Sequence, residues 1–308
     1  MNAYGFTPHY VLSTDRSDPP HALPIFEIRS ILTGRRGVSL PFSDYCDPLV
    51  PDHRALLYML EWVYSYGKKN GWAYVELRTR KELPEGLTPS ETFFLHDLVL
   101  QPGPEKMLKT FRDSTARNIR KAQKEGVEVR VDASIGGMKE FYRLNCMTRK
   151  EHGLPPQPYR FFELLHEHLI SKDCGFLVLA GKPGTVMEGN LFLHFGDRVY
   201  YKFGASDRTF QDLRASNLAM WEGIQRAAKS GFRTLCFGKT ETFHDGLRQF
   251  KNGWGTRETR IQYVKYDLGK GEYVINPSRV NGFHNGFFRA MPTPVSRAIG
   301  SVLYRHMA

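Results

Sequence analysis

The stretch GFLVLAGKPGTVMEGNLFLHFGDRVYYKFGAS, residues 175–206, decides the fold. Three apolar runs, GFLVLAG (175–181), TVMEGNLFLHF (185–195) and RVYYKFGAS (198–206), are separated only by GKPG (181–184) and GD (196–197). Glycine and proline in such short gaps reverse a chain within a few residues, so the spacing predicts three consecutive strands in a meander. Downstream, residues 213–229 read as a helix stopped by Gly231, followed by the strands RTLCFG (233–238) and TRIQYVKY (259–266). Upstream, VEVRV (127–131) reads as a strand. Two segments then carry apolar residues at helical spacing, 135–153 through Met138, Phe141 and Tyr142, and 159–171 through Phe161, Phe162, Leu164, Leu165 and Leu169. The order is β-α-α-β-β-β-α-β-α-β.

Part of this pattern occurs twice. SLPFSDYCDP leads into HRALLYMLEWVYSYGKKNG and the strand WAYVELR, and VYYKFGASDR leads into LRASNLAMWEGIQRAAKSG and FRTLCFG, with the stopping glycines Gly71 and Gly231 offset by 160 residues. A loop, a helix, a glycine and a strand recurring at one offset indicate an internal duplication of an α/β unit, although strand-helix-strand units also recur by themselves in α/β proteins. The first copy lacks the opening strand and helices of the second, so either the duplicate is abridged or the chain begins late. Between the copies, 105–126 reads as one helix with Met107, Leu108, Phe111, Thr115, Ile119 and Ala122 on its apolar side. Arg112, Arg117, Arg120, Lys121 and Lys124 crowd the other side, either a solvated face or an anion-binding one. The expected organisation is therefore an abridged unit (1–104), a basic bridging helix (105–126), a complete unit (127–277) and a basic amphipathic tail (278–308).

A chain of 308 residues buries an adequate core without staples. Cys46, Cys146, Cys174 and Cys236 lie far apart with no CxxC pair, which argues against a disulfide framework or a zinc site and for a reducing compartment. The N-terminus has no basic start with an apolar run behind it, and no stretch approaches 18 uninterrupted apolar residues. A cytoplasmic protein is expected, in contact at most with the inner face of a membrane. The net charge of +11 favours anionic partners: nucleic acid, phosphate-bearing metabolites or an acidic membrane surface.

The α-α-β-β-β-α-β-α-β order, with a loop leading from a central strand into a helix, resembles the GNAT N-acyltransferase fold. Doubled, and joined to RNIRKAQKEG, YYKFGASDRTFQDLRASN and CFGKTETFHDGLRQFKNGWG, it resembles the Fem-type family, which includes the FemAB peptidoglycan aminoacyltransferases of bacteria. The resemblance implies an α/β (α+β) fold of two GNAT-like units in tandem, each with a mixed central sheet flanked by helices. It implies an N-acyltransferase that forms an amide by attack of an acceptor amine on an activated acyl or aminoacyl donor, in cell-envelope or polysaccharide biosynthesis. No tightly bound cofactor is implied; the anionic donor, aminoacyl-tRNA or acyl-CoA, is a co-substrate. The acceptor would be an amine-bearing molecule, lipid-linked in the cell-wall members. This chain departs from the pattern in two respects. It has no long heptad stretch for a coiled-coil arm. Its loop SDRTFQDLRASN also lacks the glycines by which GNAT enzymes bring backbone close to a CoA pyrophosphate.

Amide formation needs a neutral amine, a donor or cation beside the oxyanion, and anchors for phosphates. In DGLRQFKNGWG (245–255), Arg248 and Lys251 are three apart on one helix face and are expected to point at one anion. Lys251 is placed there as an exposed cation. Asp245 is placed at the N-cap, Phe250 and Trp254 on the buried side, and Gly253 and Gly255 at a sharp end. His244, of the residue type that exchanges a proton near neutral pH, is the candidate base. Tyr201 and Lys202, read as ending the central strand, join Arg214 and Asn217 at the start of the next helix, and Lys239 and Glu241 on the loop after the following strand, as substrate-binding candidates. Two alternatives remain: an acyl-CoA-dependent GNAT acetyltransferase, and a non-catalytic binding module. In the tail, Pro294 opens a helix with Val295, Ala298, Ile299, Val302 and Leu303 on one side and Arg297 and Arg305 on the other. With Phe283, Phe287 and Phe288 upstream, that tail either docks on the protein or lies on an anionic membrane.

Overall fold

The computed structural model describes residues 3–13, 21–275 and 284–307. Its strands are β1 (Thr7–Leu12), β2 (Ala22–Ser30), β3 (Gly34–Val38), β4 (Trp72–Thr79), β5 (Glu91–Val99), β6 (Glu128–Val131), β7 (Gly175–Lys182), β8 (Thr185–Phe195), β9 (Arg198–Ser206), β10 (Thr234–Glu241), β11 (Arg257–Asp267) and β12 (Glu272–Tyr273). The helices are α1 (His53–Lys69), α2 (Pro104–Leu108), α3 (Asp113–Lys124), α4 (Ile135–Glu151), α5 (Tyr159–His168), α6 (Ala215–Lys229), α7 (Asp245–Asn252), α8 (His284–Ala290) and α9 (Thr293–Leu303). They form two compact units, one of residues 1–94, 259–281 and 302–308, the other of 95–258 and 282–301. The expected division at 104 and 126 is thus not where the chain divides. It crosses between units within β5, within β11 and at the end of α9.

In the first unit β1, β2 and β3 form an antiparallel run, β3 lies parallel to β4, and β4 antiparallel to β11. Helix α1 begins at Asp52, whose carboxylate accepts the Ala55 N–H at 2.8 Å, and it ends in Lys68 and Lys69 before Gly71, which takes φ +69°. Its Leu56, Met59, Leu60 and Val63 pack with Val75 and Leu77 of β4 and with Leu23 and Ile25 of β2. The duplicate is therefore not stripped of strands as expected, because three precede α1. Pro24 within β2 and the arginines of β3 disguised them. Pro24 lies ahead of Phe26, where the ladder to β3 begins, so its missing N–H interrupts no rung of that ladder.

The second unit follows the sequence reading closely. Strands β6 to β9 form the antiparallel run of the meander, and β9 then lies parallel to β10. Helices α6 and α3 cover one face, around Phe192, Trp221, Ile224 and Trp254, and α4 and α5 the other, around Phe141, Phe162, Leu177 and Leu191. The single bridging helix is broken between α2 and α3. Thr110 caps the carbonyl of Met107 at 2.7 Å, Arg112 turns extended, and Phe111 drops edge-on between Trp221 and Trp254 at 5.4 and 5.1 Å. Burying that ring offsets the helix hydrogen bonds lost over the single turn at 109–112.

Helix α9 does form, but it docks through an unexpected face. Ser296 and Gly300 are buried, whereas Val295, Ala298 and Val302 are exposed. A Cβ on Gly300 would run into the carbonyl oxygen of Pro156. Gly300→Ala is accordingly expected to cost about 1–3 kcal/mol by overpacking and to release amide hydrogen exchange along α9; an unchanged melting temperature would show that the contact is soft. Ser278 to Phe283 of the tail lie outside the described residues.

Candidate functional site

The parallel ladder between β9 and β10 holds only three residue pairs, Arg198 with Thr234, Val199 with Leu235 and Tyr200 with Cys236. The strands part at Tyr201. At the same point β9 carries a bulge against β8, since Leu191 faces Phe203 and Phe192 faces Tyr201, which leaves Lys202 as the extra residue. Tyr201 and Lys202 thus sit in mid-strand rather than at its end. The Tyr201 hydroxyl lies over Gly204, where any Cβ would collide with it.

Glu188 and Asn190, at alternate positions of β8, turn toward α6 beneath this opening. Glu188 is 4% exposed, and its carboxylate accepts the Ser216 hydroxyl of α6 at 2.7 Å. With its amide oriented by the donors and acceptors around it, Asn190 donates to Glu188 Oε1 at 3.0 Å and to the Tyr201 hydroxyl at 3.3 Å, and accepts the Met220 N–H at 3.2 Å. Burial pushes the Glu188 carboxyl up to about 8, against the opposing pull of the Ser216 hydrogen bond. Burial, with the Glu188 charge nearby, raises Tyr201 well above the ordinary tyrosine range. A carboxyl that exchanges its proton near neutrality, linked to two hydroxyls at a parted seam, can take a proton from an incoming nucleophile.

The other edge of the seam is held by the motif at 245–255. Lys251 is only 5% exposed, and its ammonium donates to the carbonyl oxygens of Gly238 at 3.0 Å and Lys239 at 2.8 Å. Successive carbonyls of a regular strand point to opposite sides. Gly238, at φ +75°, twists the end of β10 so that both reach one ammonium. Arg248 does not share an anion with Lys251 as expected. Its guanidinium forms a two-pronged bond to Glu258 at 2.7 and 2.8 Å, which holds that carboxyl down at about 2. Asn252 donates to Glu258 at 2.8 Å and meets Nδ1 of the fully buried His96 at 3.1 Å. Burial and the Lys251 charge keep His96 below the usual histidine range, hence neutral. Asp245 is the first residue inside α7, not its cap; His244 occupies the cap position and makes no side-chain capping bond. Trp254 is buried, while Phe250 is exposed.

The remaining candidates scatter along the rim. Arg214 is exposed in the left-handed region at φ +58°, just ahead of α6, and Asn217 lies half-buried in the first turn. Lys239 and Glu241 belong to β10 itself rather than to the following loop. Residues 208–213 wind into a 3-10 turn started by Asp207, whose carboxylate accepts the Thr209 N–H at 3.0 Å. Among the described residues, no group of three or more His, Cys, Asp or Glu stands at metal-binding spacing, and no helix is long and apolar enough to cross a membrane.

Residues 109–252 match the acetyltransferase (GNAT) domain family. A lipid II:glycine glycyltransferase of Staphylococcus haemolyticus is 31% identical over 119 residues, 36% of this chain and 27% of that protein. The match thus spans about a quarter of the length of the relative. The solved structure of FemX overlays at a TM-score of 0.66 and 16% identity, over 86% of this chain and 89% of that one. The chain shares the fold of FemX. A tandem GNAT protein of the clavulanic acid biosynthesis pathway, at a TM-score of 0.56 and 9% identity over 87% of this chain and 84% of that one, shares it.

Within this fold the strand into Gly238 and the motif at 245–255 were both legible in the sequence. The Glu188, Asn190 and Ser216 cluster was not recognised. Its signal was nevertheless present, because VMEGNLF places two polar residues two apart on the face that Phe192 shares with the core.

Proposed function

We propose that this chain is an N-acyltransferase that joins an aminoacyl group to an amine at the seam between β9 and β10. The observation that carries this reading is the buried carboxyl of Glu188 set against the parted strands. In the proposed step the acceptor amine attacks the ester carbonyl of the donor, a C–N bond forms and the ester C–O bond breaks. The amine proton passes through the Ser216 hydroxyl to Glu188, and the leaving hydroxyl of the donor takes a proton in turn. Lys251 fixes the backbone of β10, so its part is to hold the seam open. On this reading a backbone N–H of β9 beyond Tyr200 would meet the carbonyl oxygen as it becomes an oxyanion.

An aminoacyl ester on RNA fits this site better than acyl-CoA. The loop ahead of α6 carries no glycine to bring its backbone close to a pyrophosphate. On α3, Arg117, Lys121 and Lys124 are exposed at spacings of four and three and stand roughly 6 and 5 Å apart along the axis, close to the step between phosphates of a nucleic-acid strand. The relatives' lipid II acceptor suggests a lipid-linked amine here as well.

Two measurements test this. Labelled aminoacyl-tRNA should be consumed only when a lipid-linked amine is present, whereas consumption of acetyl-CoA with aminoacyl-tRNA left untouched would overturn the reading. Reversing Arg117, Lys121 and Lys124 to glutamate should weaken tRNA binding at least a hundredfold at low salt and flatten its salt dependence, since each phosphate contact contributes nearly one unit of log–log slope.

A further inference from the structure

The turn between β2 and β3 is Ile31-Leu32-Thr33, closed by Gly34 at φ +76°. Three-residue hairpin loops ordinarily carry polar residues ahead of such a glycine. Here Ile31 is 91% exposed and Leu32 63% exposed. The loop is nonetheless firmly held. Ser30 Oγ accepts the N–H groups of Leu32 at 3.1 Å and Thr33 at 2.9 Å, and Arg36 donates to Thr33 Oγ1 at 2.5 Å. Two large apolar side chains are thus pinned outward by a rigid turn.

The same turn is tied to the end of the chain. Arg36 and Thr33 both donate to the carbonyl oxygen of His306, at 2.7 and 3.5 Å, and Tyr304 is buried against Tyr4 and Phe42. That anchorage brings Val302 and Met307, both exposed, to the neighbourhood of the turn. Arg35 and Arg305 are exposed beside them, and neither 31–35 nor 302–307 contains an acid. Helix α9 continues the theme, because it spends its small residues Ser296 and Gly300 on docking and leaves Val295, Ala298 and Val302 outward on one face.

We propose that the Ile31-Leu32 turn, together with Val302 and Met307, is a membrane-contact face that inserts into the surface of an anionic bilayer, with Arg35 and Arg305 at headgroup level. A polar protein partner would not call for aliphatic tips standing free in water, and a bilayer surface accepts both the apolar tips and the cations around them. For its purpose the proposal rests on the lipid-linked acceptor, which this face would bring within reach.

The test uses the full chain and sedimentation with vesicles of phosphatidylcholine alone or mixed equally with phosphatidylglycerol. The wild type should bind the mixed vesicles, and Ile31→Ser with Leu32→Ser should lower its partition at least tenfold. Arg35→Gln with Arg305→Gln should lower binding roughly fivefold per charge on the anionic vesicles only. Melting temperatures of all variants should match the wild type, since the altered side chains are exposed. The proposal is overturned if the wild type stays in the supernatant with both lipids, if the serine variant binds as well as the wild type, or if these residues instead mediate self-association in sedimentation velocity. Vesicle binding without any aminoacyl transfer would sink the enzymatic reading and leave this one standing, and transfer to a soluble amine without vesicle binding would do the reverse.

Discussion

Lys251→Met is expected to cost about 2–4 kcal/mol of stability and to abolish transfer. Its ammonium is the donor to the buried carbonyl oxygen of Gly238 and the partly buried one of Lys239, and methionine fills the volume but donates nothing. Each carbonyl left without a partner costs about 1–2 kcal/mol. The sequence alone pointed the other way, to an exposed cation removable without harm to the fold; burial reverses that expectation. Urea unfolding of the purified variant decides it. A midpoint equal to that of the wild type would mean that the lysine contributes nothing to holding β10.

Glu188→Gln is expected to remove a large pH dependence of stability and to slow transfer by roughly a hundredfold or more. The folded-state carboxyl titrates at about 8 because burial disfavours its charge, while in the unfolded chain it takes its ordinary value of 4.5. Between those values the folded protein holds a proton that the unfolded chain has released. Stability from this group is therefore full below pH 4.5, falls by about 1.4 kcal/mol per pH unit through the window, and levels off above about 8. The integrated loss is on the order of 5 kcal/mol. Glutamine can accept from Asn190 and donate to Ser216, so the variant should match the wild type at acid pH and exceed it at pH 8. Parallel stability curves from pH 5 to 8 would show that Glu188 is not the titrating group. For transfer, the wild-type rate should rise with pH toward 8 as the carboxylate forms, and the glutamine variant should lose that limb.

The elements most legible in the sequence are those whose period is clean. The meander from Gly175 to Ser206, helix α6 with its glycine stop and the strand into Gly238 all form where their alternation places them. The strands ahead of α1 are hidden in the sequence because Pro24, Arg35 and Arg36 spoil a short pattern, and a hairpin strand draws much of its stability from neighbours that local sequence does not show. The motif at 245–255 was legible as important but not in its geometry. A lysine three residues from an arginine suggests a shared anion, yet which side chain is buried depends on Gly238 and Glu258, the one twisting β10 and the other claiming Arg248. Glu188 is hard to read from sequence because its partners come from separate elements, β8, β9 and α6.

The bond from Lys251 to β10 also gives the open seam a handedness. Parted strands inside a sheet present two raw edges, each a template on which any stray extended peptide could lay down an extra strand. On the β10 side two consecutive acceptors are already taken, by a side chain from the following helix, so a visiting backbone finds that edge blunted. A visiting strand that paired in the gap would therefore be turned away from β10 by the lysine.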